Sequence, residues 1–185
     1  MILSEQTFIE LAGKQEVLDA KIKAANNVTD LPLRRIELYY RIELAECLNE
    51  LKGDFKHWSN KPMRREAFIE ELVDALHFYL SYVNHMAESY DAQDDMPGYY
   101  QEEYRYLEEG YRFYVDVLLD DEERCLKETP KHEIAISIIT DMNFYSSFAK
   151  LLYLAESYGI KEQDIIDAYK RKNDINHERS DSGVY

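Results

Sequence analysis

Apolar residues recur every three or four positions along most of the chain, the period of helices with one buried face. The first such segment, residues 4 to 27, carries Phe8, Leu11, Ala12, Leu18, Ile22 and Ala25 in that register, with Ser4 placed to cap it and Asn26-Asn27 to end it. A linker to Pro32 follows. The second segment, residues 33 to 52, reads as a helix with the stripe Leu38, Ile42, Ala45, Leu48 and Leu51, ended by Gly53. The third, residues 63 to 90, carries Phe68, Leu72, Ala75, Leu76, Tyr79 and Val83, and the polar stretch from Asp91 to Gly98 breaks it. A tyrosine-rich and acidic helix is expected over 99 to 127. Thr129-Pro130 then opens an apolar helix through Tyr158, closed by Gly159, and a last helix runs from Glu162 to about Lys172 before a polar tail. The pattern predicts one all-α domain over residues 1 to 185, a bundle of roughly six helices.

Composition agrees with that class. Six glycines and four prolines are too few for the many tight turns of a β-sandwich, and 45% hydrophobic residues are too many for a disordered chain. Two cysteines, Cys47 and Cys125, make neither a disulfide framework nor a zinc ligand set. Met1 leads into the polar Ser4, Glu5 and Gln6, and no apolar run is long enough to span a bilayer, so a cytoplasmic protein without membrane association is expected. A net charge of −15 argues against a protein that tracks duplex nucleic acid, which needs a basic surface to displace counterions. A small anionic ligand remains compatible where cations reverse the local sign.

The candidate chemistry lies between residues 43 and 78. Glu43/Glu46 and Glu71/Asp74 are acidic pairs three residues apart, so each presents two carboxylates on one helix face. If the second and third helices pack antiparallel with these faces inward, four carboxylates converge, and oxygen ligands of this kind suit magnesium or manganese. The bland reading is a solvated helix face, since 37 of 185 residues are acidic. Between the pairs, Trp58 stands in an irregular loop with Lys56 and His57, either as a packing anchor or as a wall of a ligand pocket. His77, beside the acidic line, reads first as structural. Gln15 and Asp19, four apart, read on sequence alone as an exposed hydrogen-bonding pair. The tyrosines of residues 99 to 114 suit packing, including packing at a subunit interface, better than nucleotide binding.

Taken in order, the motifs resemble the dimeric, all-α deoxyuridine triphosphatases of the MazG-like pyrophosphohydrolase superfamily. The resemblance rests on ExxE at 43 to 46, Phe55-Lys56-His57-Trp58, ExxD at 71 to 74 running into Ala75-Leu76-His77-Phe78, and Tyr169-x-x-Lys172-Asn173-x-x-Asn176-x-x-Arg179. Gln15-x-x-Leu18-Asp19 is also similar, and together these span nearly the whole chain. Gly183-Val184-Tyr185 departs from the family pattern, in which glycine is followed directly by tyrosine, and residues 91 to 130 carry no family motif.

The resemblance implies hydrolysis of dUTP to dUMP and pyrophosphate by a homodimer. Glu43, Glu46, Glu71 and Asp74 would hold two or more magnesium ions, with manganese as a substitute, and a glutamate of the first pair, Glu46 ahead of Glu43, would activate the water. Gln15, Trp58, His77, Phe78 and Asn176 would form the base and sugar pocket, and Lys56, Lys172 and Arg179 would contact phosphates from the loop and a mobile tail. Two alternatives stay open on the residues alone: a broader or dCTP-preferring pyrophosphohydrolase, and a helical interaction module on an inactive scaffold.

Overall fold

The computed structural model describes residues 1–90, 92–117 and 129–183. Seven α-helices occur among them: α1 Glu5–Ala25, α2 Leu33–Asn49, α3 Arg65–Ser89, α4 Met96–Arg112, α5 Lys131–Thr140, α6 Phe144–Ser157 and α7 Glu162–Ser182. No strand occurs among the described residues, and none of their helices is long and apolar enough to cross a membrane. The all-α expectation therefore holds.

Helix α3 is the central element. It packs along α2 most extensively and also against α1 and α7, while α6 closes the other side through α4 and α5. All six residues of its expected stripe, Phe68, Leu72, Ala75, Leu76, Tyr79 and Val83, are buried. The core is unusually aromatic: Tyr79 stacks on Phe148 with ring centroids 4.0 Å apart and on Phe144 at 5.1 Å, and Phe144 lies 4.5 Å from Tyr40. The Tyr40 hydroxyl shares a 2.9 Å hydrogen bond with Ser147, so this buried polar tip is satisfied.

The buried face of α2 matches the expected one only at its end, where Leu48 and the following Leu51 are buried. Ile36, Tyr40, Leu44, Cys47 and Leu48 are buried, whereas Leu38 and Ile42 are 55% and 45% exposed and Ala45 faces solvent. Both stripes have helical spacing, and Tyr40 and Cys47 complete the one that faces the core.

Residues 130 to 158 form two helices rather than one. Asp141 is extended, its Oδ1 accepts from the Asn143 N–H at 2.9 Å, and Asn143 Oδ1 caps α6 by accepting from the Ser146 N–H at 2.9 Å. Arg41 fixes the break by donating to the carbonyls of Asp141 and Met142 at 2.7 and 3.1 Å. Pro130 sits at the cap position of α5 and not one residue inside it. Helix α4 begins earlier than expected, at Met96, because Asp95 Oδ1 accepts from the Gly98 N–H at 3.1 Å, and it ends at Arg112 in a single π-turn over Phe113–Val117. Residues 118–128, with the remainder of the expected helix and Cys125, lie outside the described residues.

Helix α7 continues through the segment expected to be a tail. It ends at Ser182, with Gly183 left-handed at φ 65°. Ile165, Ala168, Tyr169, Asn173 and Ser180 bury one face. Lys21 of α1 holds the far end by pairing with Asp181 at 2.8 Å and donating to the His177 carbonyl at 3.3 Å.

Helix α2 stops at Asn49, and Gly53 serves the loop rather than the helix end. Its N–H donates to the Lys61 carbonyl at 2.9 Å, and a Cβ there would lie 2.6 Å from the Ser59 carbonyl oxygen and 2.7 Å from that of Lys61. We expect Gly53→Ala to lower stability by about 1–3 kcal/mol, because backbone has to move. Urea unfolding checks this, and an unchanged midpoint would contradict the packing.

Candidate active site

The α2/α3 pair is antiparallel. The Cys47 thiol reaches the Phe68 carbonyl at 3.6 Å, and the Tyr39 ring meets Phe78 with centroids 5.3 Å apart. That register sets Glu43 opposite Asp74 and Glu46 opposite Glu71. Ligand oxygens of Glu43, Glu46 and Glu71 lie within 4.8 Å of one another. Asp74 joins them from the next turn of α3, paired with Lys172 Nζ at 2.6 Å.

Such crowding is unfavourable for ionised carboxylates. Glu43 is pushed up to about 7, first by burial and then by Asp74, Glu46 and Glu71. Glu71 is raised by burial and then by Asp74 and Glu46. Asp74 is raised by burial, with the Lys172 ammonium pulling the other way. A hard divalent cation relieves all three effects, and an all-oxygen donor set on two rigid helices fits it.

Next to the carboxylates, a cavity of about 230 Å³ opens between α1, α2, α3 and α7. Five of the expected site residues line it: Gln15, Asp74, His77, Phe78 and Asn176. Phe78 and Tyr39 supply half-buried aromatic surface. Lys172, Asn176 and Arg179 stand at i, i+4 and i+7 on one face of α7, so the helix carries them along the same edge of the site. Arg179 itself is exposed.

Gln15 is buried, which corrects the reading of an exposed pair with Asp19. Its Nε2 donates to Asp19 Oδ1 at 2.8 Å. Its Oε1 therefore accepts, from His77 Nδ1 at 2.6 Å and within 3.0 Å of the Tyr169 hydroxyl. His77 must carry its proton on Nδ1, and its Nε2 is a buried acceptor with no hydrogen-bond partner. Burial holds the ring at about 3, so it is neutral, stacked at 4.2 Å on Tyr169. Asp19 is raised by burial, opposed by hydrogen bonds from Gln15 and Ser81.

Two expected residues stand apart. Trp58 is 73% exposed, edge-on to His57, and Lys56 bonds Asn49 and lies over Phe55. Neither lines the cavity. Tyr185 lies outside the described residues. Tyr39 and Ser81 line the cavity without having been singled out from the sequence. Spacing alone could have found them, since Tyr39, Glu43 and Glu46 share one stripe of α2, and Asp74, Phe78 and Ser81 one stripe of α3.

An all-α bundle with clustered carboxylates beside an aromatic-walled cavity defines a candidate class of metal-assisted nucleotide hydrolases. The dUTPase family model matches residues 7–184, and the chain belongs to that family. It is thus an enzyme of dUTP hydrolysis, a dUTP diphosphatase, which sets aside the inactive-scaffold alternative. No curated protein matches the chain.

The Glu43 carboxyl has a folded pKa above its ordinary 4.5, so its contribution to stability is fully present below pH 4.5 and is lost as pH rises through about 7. Glu43→Gln should therefore raise the melting temperature of metal-free protein at pH 8, by a margin that shrinks below pH 5. A variant less stable than the parent at pH 8 in EDTA would contradict the charge crowding.

Proposed function

We propose that the chain hydrolyses dUTP to dUMP and pyrophosphate with magnesium held by Glu43, Glu46, Glu71 and Asp74. The observation that carries this reading is the meeting of the two acidic pairs across antiparallel helices at the edge of a cavity sized for part of a nucleotide. When bound, the metal ions neutralise the triphosphate and lower the pKa of water beside it; manganese supplies the same chemistry.

The protein's own groups do the rest by position. Glu46, the exposed member of its pair, orients the attacking water and takes its proton, with Glu43 the other candidate base. The water oxygen bonds to a phosphorus flanking the α–β bridge, the bond from that phosphorus to the bridging oxygen breaks, and the other fragment leaves with that oxygen, giving dUMP and pyrophosphate. Lys172 and Arg179 supply point and forked contacts to phosphate oxygens. Phosphoryl transfer asks little more than this of the protein. Lys56 and Trp58 reach the nucleotide only by movement of their loop, closing over it to exclude water.

The base is read by the network beneath it. Gln15 has committed its oxygen and one N–H, so its second N–H is the donor left for a pyrimidine carbonyl. Uracil offers that acceptor at position 4, where cytosine presents an amino group that would leave two donors facing each other. Phe78 packs on the ring face, and Asn176 addresses its edge. This reading favours dUTP over a dCTP-preferring or broad enzyme.

The reading includes a cytoplasmic homodimer. Its support is an apolar surface on the touching helices α2 and α5 and the turn that follows α5, where Leu38, Ile42, Ile139 and Met142 are exposed, Met142 at 87%. That surface suits a subunit contact better than the tyrosine-rich segment, in which Tyr100 and Tyr111 are buried within the chain.

Pyrophosphate release from each dNTP in magnesium should be confined to dUTP, and equal turnover of dCTP would overturn the base reading. Glu46→Ala and Asp74→Ala should each lower kcat by roughly 10²–10⁴-fold with helical content retained. Unchanged turnover would refute the carboxylate assignment.

A further inference from the structure

Glu50 is the C-cap of α2 and continues the stripe of Glu43 and Glu46 by one more turn. A carboxylate is out of place there on three counts. It is only 8% accessible, it sits at the negative end of its own helix, and Glu71, raised first by burial, also feels its charge.

Two cations offset it, and they stand at the two ends of one loop. Lys52 Nζ donates to Glu50 Oε1 at 3.0 Å, with both side chains mostly buried. Arg64 stands 3.3 Å from Oε2 at the far end, a charge pair without hydrogen-bond alignment, while its backbone N–H donates to the Glu50 carbonyl at 3.0 Å. Just beyond these contacts the Gly53 N–H donates to the Lys61 carbonyl at 2.9 Å, so residues 52–64 leave and re-enter the fold through one narrow neck. Lys52 takes a left-handed backbone, φ 50°, that a residue with a side chain rarely adopts, and in that conformation its ammonium meets Glu50. The tip beyond the neck carries Lys56 and Trp58, neither of which lines the cavity beside the carboxylates.

We infer that Glu50 is a positioning residue for the reaction: its carboxylate pins both ends of this loop to the end of α2, so that only the tip is ordered when Lys56 and Trp58 close over the nucleotide, a role that rests on the proposed function for that closure. Glu50 is not a fifth metal ligand. Each of its oxygens already faces a cation, and the ligand oxygens that meet are those of Glu43, Glu46 and Glu71. A loop with a fixed neck loses less freedom on closing than one that is free along its length. Loosening the neck therefore weakens nucleotide binding more than it slows the chemical step.

Glu50→Gln keeps the shape of the side chain and removes its charge. Amide hydrogen exchange of the full chain, without metal or nucleotide, should become about tenfold faster at Gly53 and Arg64 and stay unchanged in the core of α3. Manganese affinity, read by electron paramagnetic resonance, should stay within about twofold of the parent, and KM for dUTP should rise about tenfold with kcat within about threefold. Lys52→Met should repeat the faster exchange, and the double variant should add little to either change alone. The lysine variant also keeps the test open should Glu50→Gln not fold. Parent-like exchange at Gly53 and Arg64 in the folded variants, loss of manganese binding by Glu50→Gln, or a fall in kcat at unchanged KM would each overturn the proposal. The exchange rates need neither metal nor dUTP, so failure of the clamp is distinguished from failure of the proposed function, which would show as no manganese binding or dUTP turnover by the parent chain.

Discussion

Four carboxylates are brought together by the antiparallel register of α2 and α3, and much of the structure is arranged to tolerate that concentration of like charge. The register is set by contacts that carry no charge: the Cys47 thiol against the Phe68 carbonyl, Tyr39 against Phe78, and the buried stripe of α3. Apolar burial in the core holds the helices where electrostatics alone would separate them. Lys172 offsets one carboxylate by pairing with Asp74, and partial protonation of Glu43 near neutrality relieves another. In the proposed function, what remains is a site that would take up hard cations, and with them a polyphosphate.

Helix α7 ties this charge to the recognition side. One of its faces carries Tyr169 under His77 and Lys172 on Asp74, and Asn176 lines the cavity from the next turn. The start of α7 is held through Arg65, which donates to the carbonyls of Tyr158 and Gly159 and pairs with Asp164. The consequence is rigidity: Gln15, His77 and Tyr169 form one buried hydrogen-bonded network across three helices. In the proposed function a donor fixed in this way would discriminate by leaving the wrong base unpaired, which is stronger than exclusion by shape alone. In the proposed function the loop bearing Lys56 and Trp58 is the part that moves, and α7 is a wall.

The helix pattern and the acidic pairs were legible in the sequence because periodicity reports a buried face directly, as α3 illustrates. Where two apolar stripes compete, it does not decide. In α2 the stripe through Leu38 and Ile42 is as regular as the one through Tyr40 and Leu44, and packing against α3 and α6 selected the second. The break at Asp141 to Asn143 was hidden for a related reason, since apolar spacing continues across it while short polar side chains take over the backbone hydrogen bonds. The buried role of Gln15 had no local sign at all. It depends on His77 and Tyr169, 62 and 154 residues away, which only the packing of three helices brings together.

The central claim is that Glu43, Glu46, Glu71 and Asp74 form one cation site whose occupancy does not depend on turnover. Electron paramagnetic resonance of Mn²⁺ titrated into the nucleotide-free protein measures this directly. The free-ion signal should be lost with the parent chain and persist with Glu71→Gln or Asp74→Asn. Manganese bound equally well by the parent and both variants would contradict it.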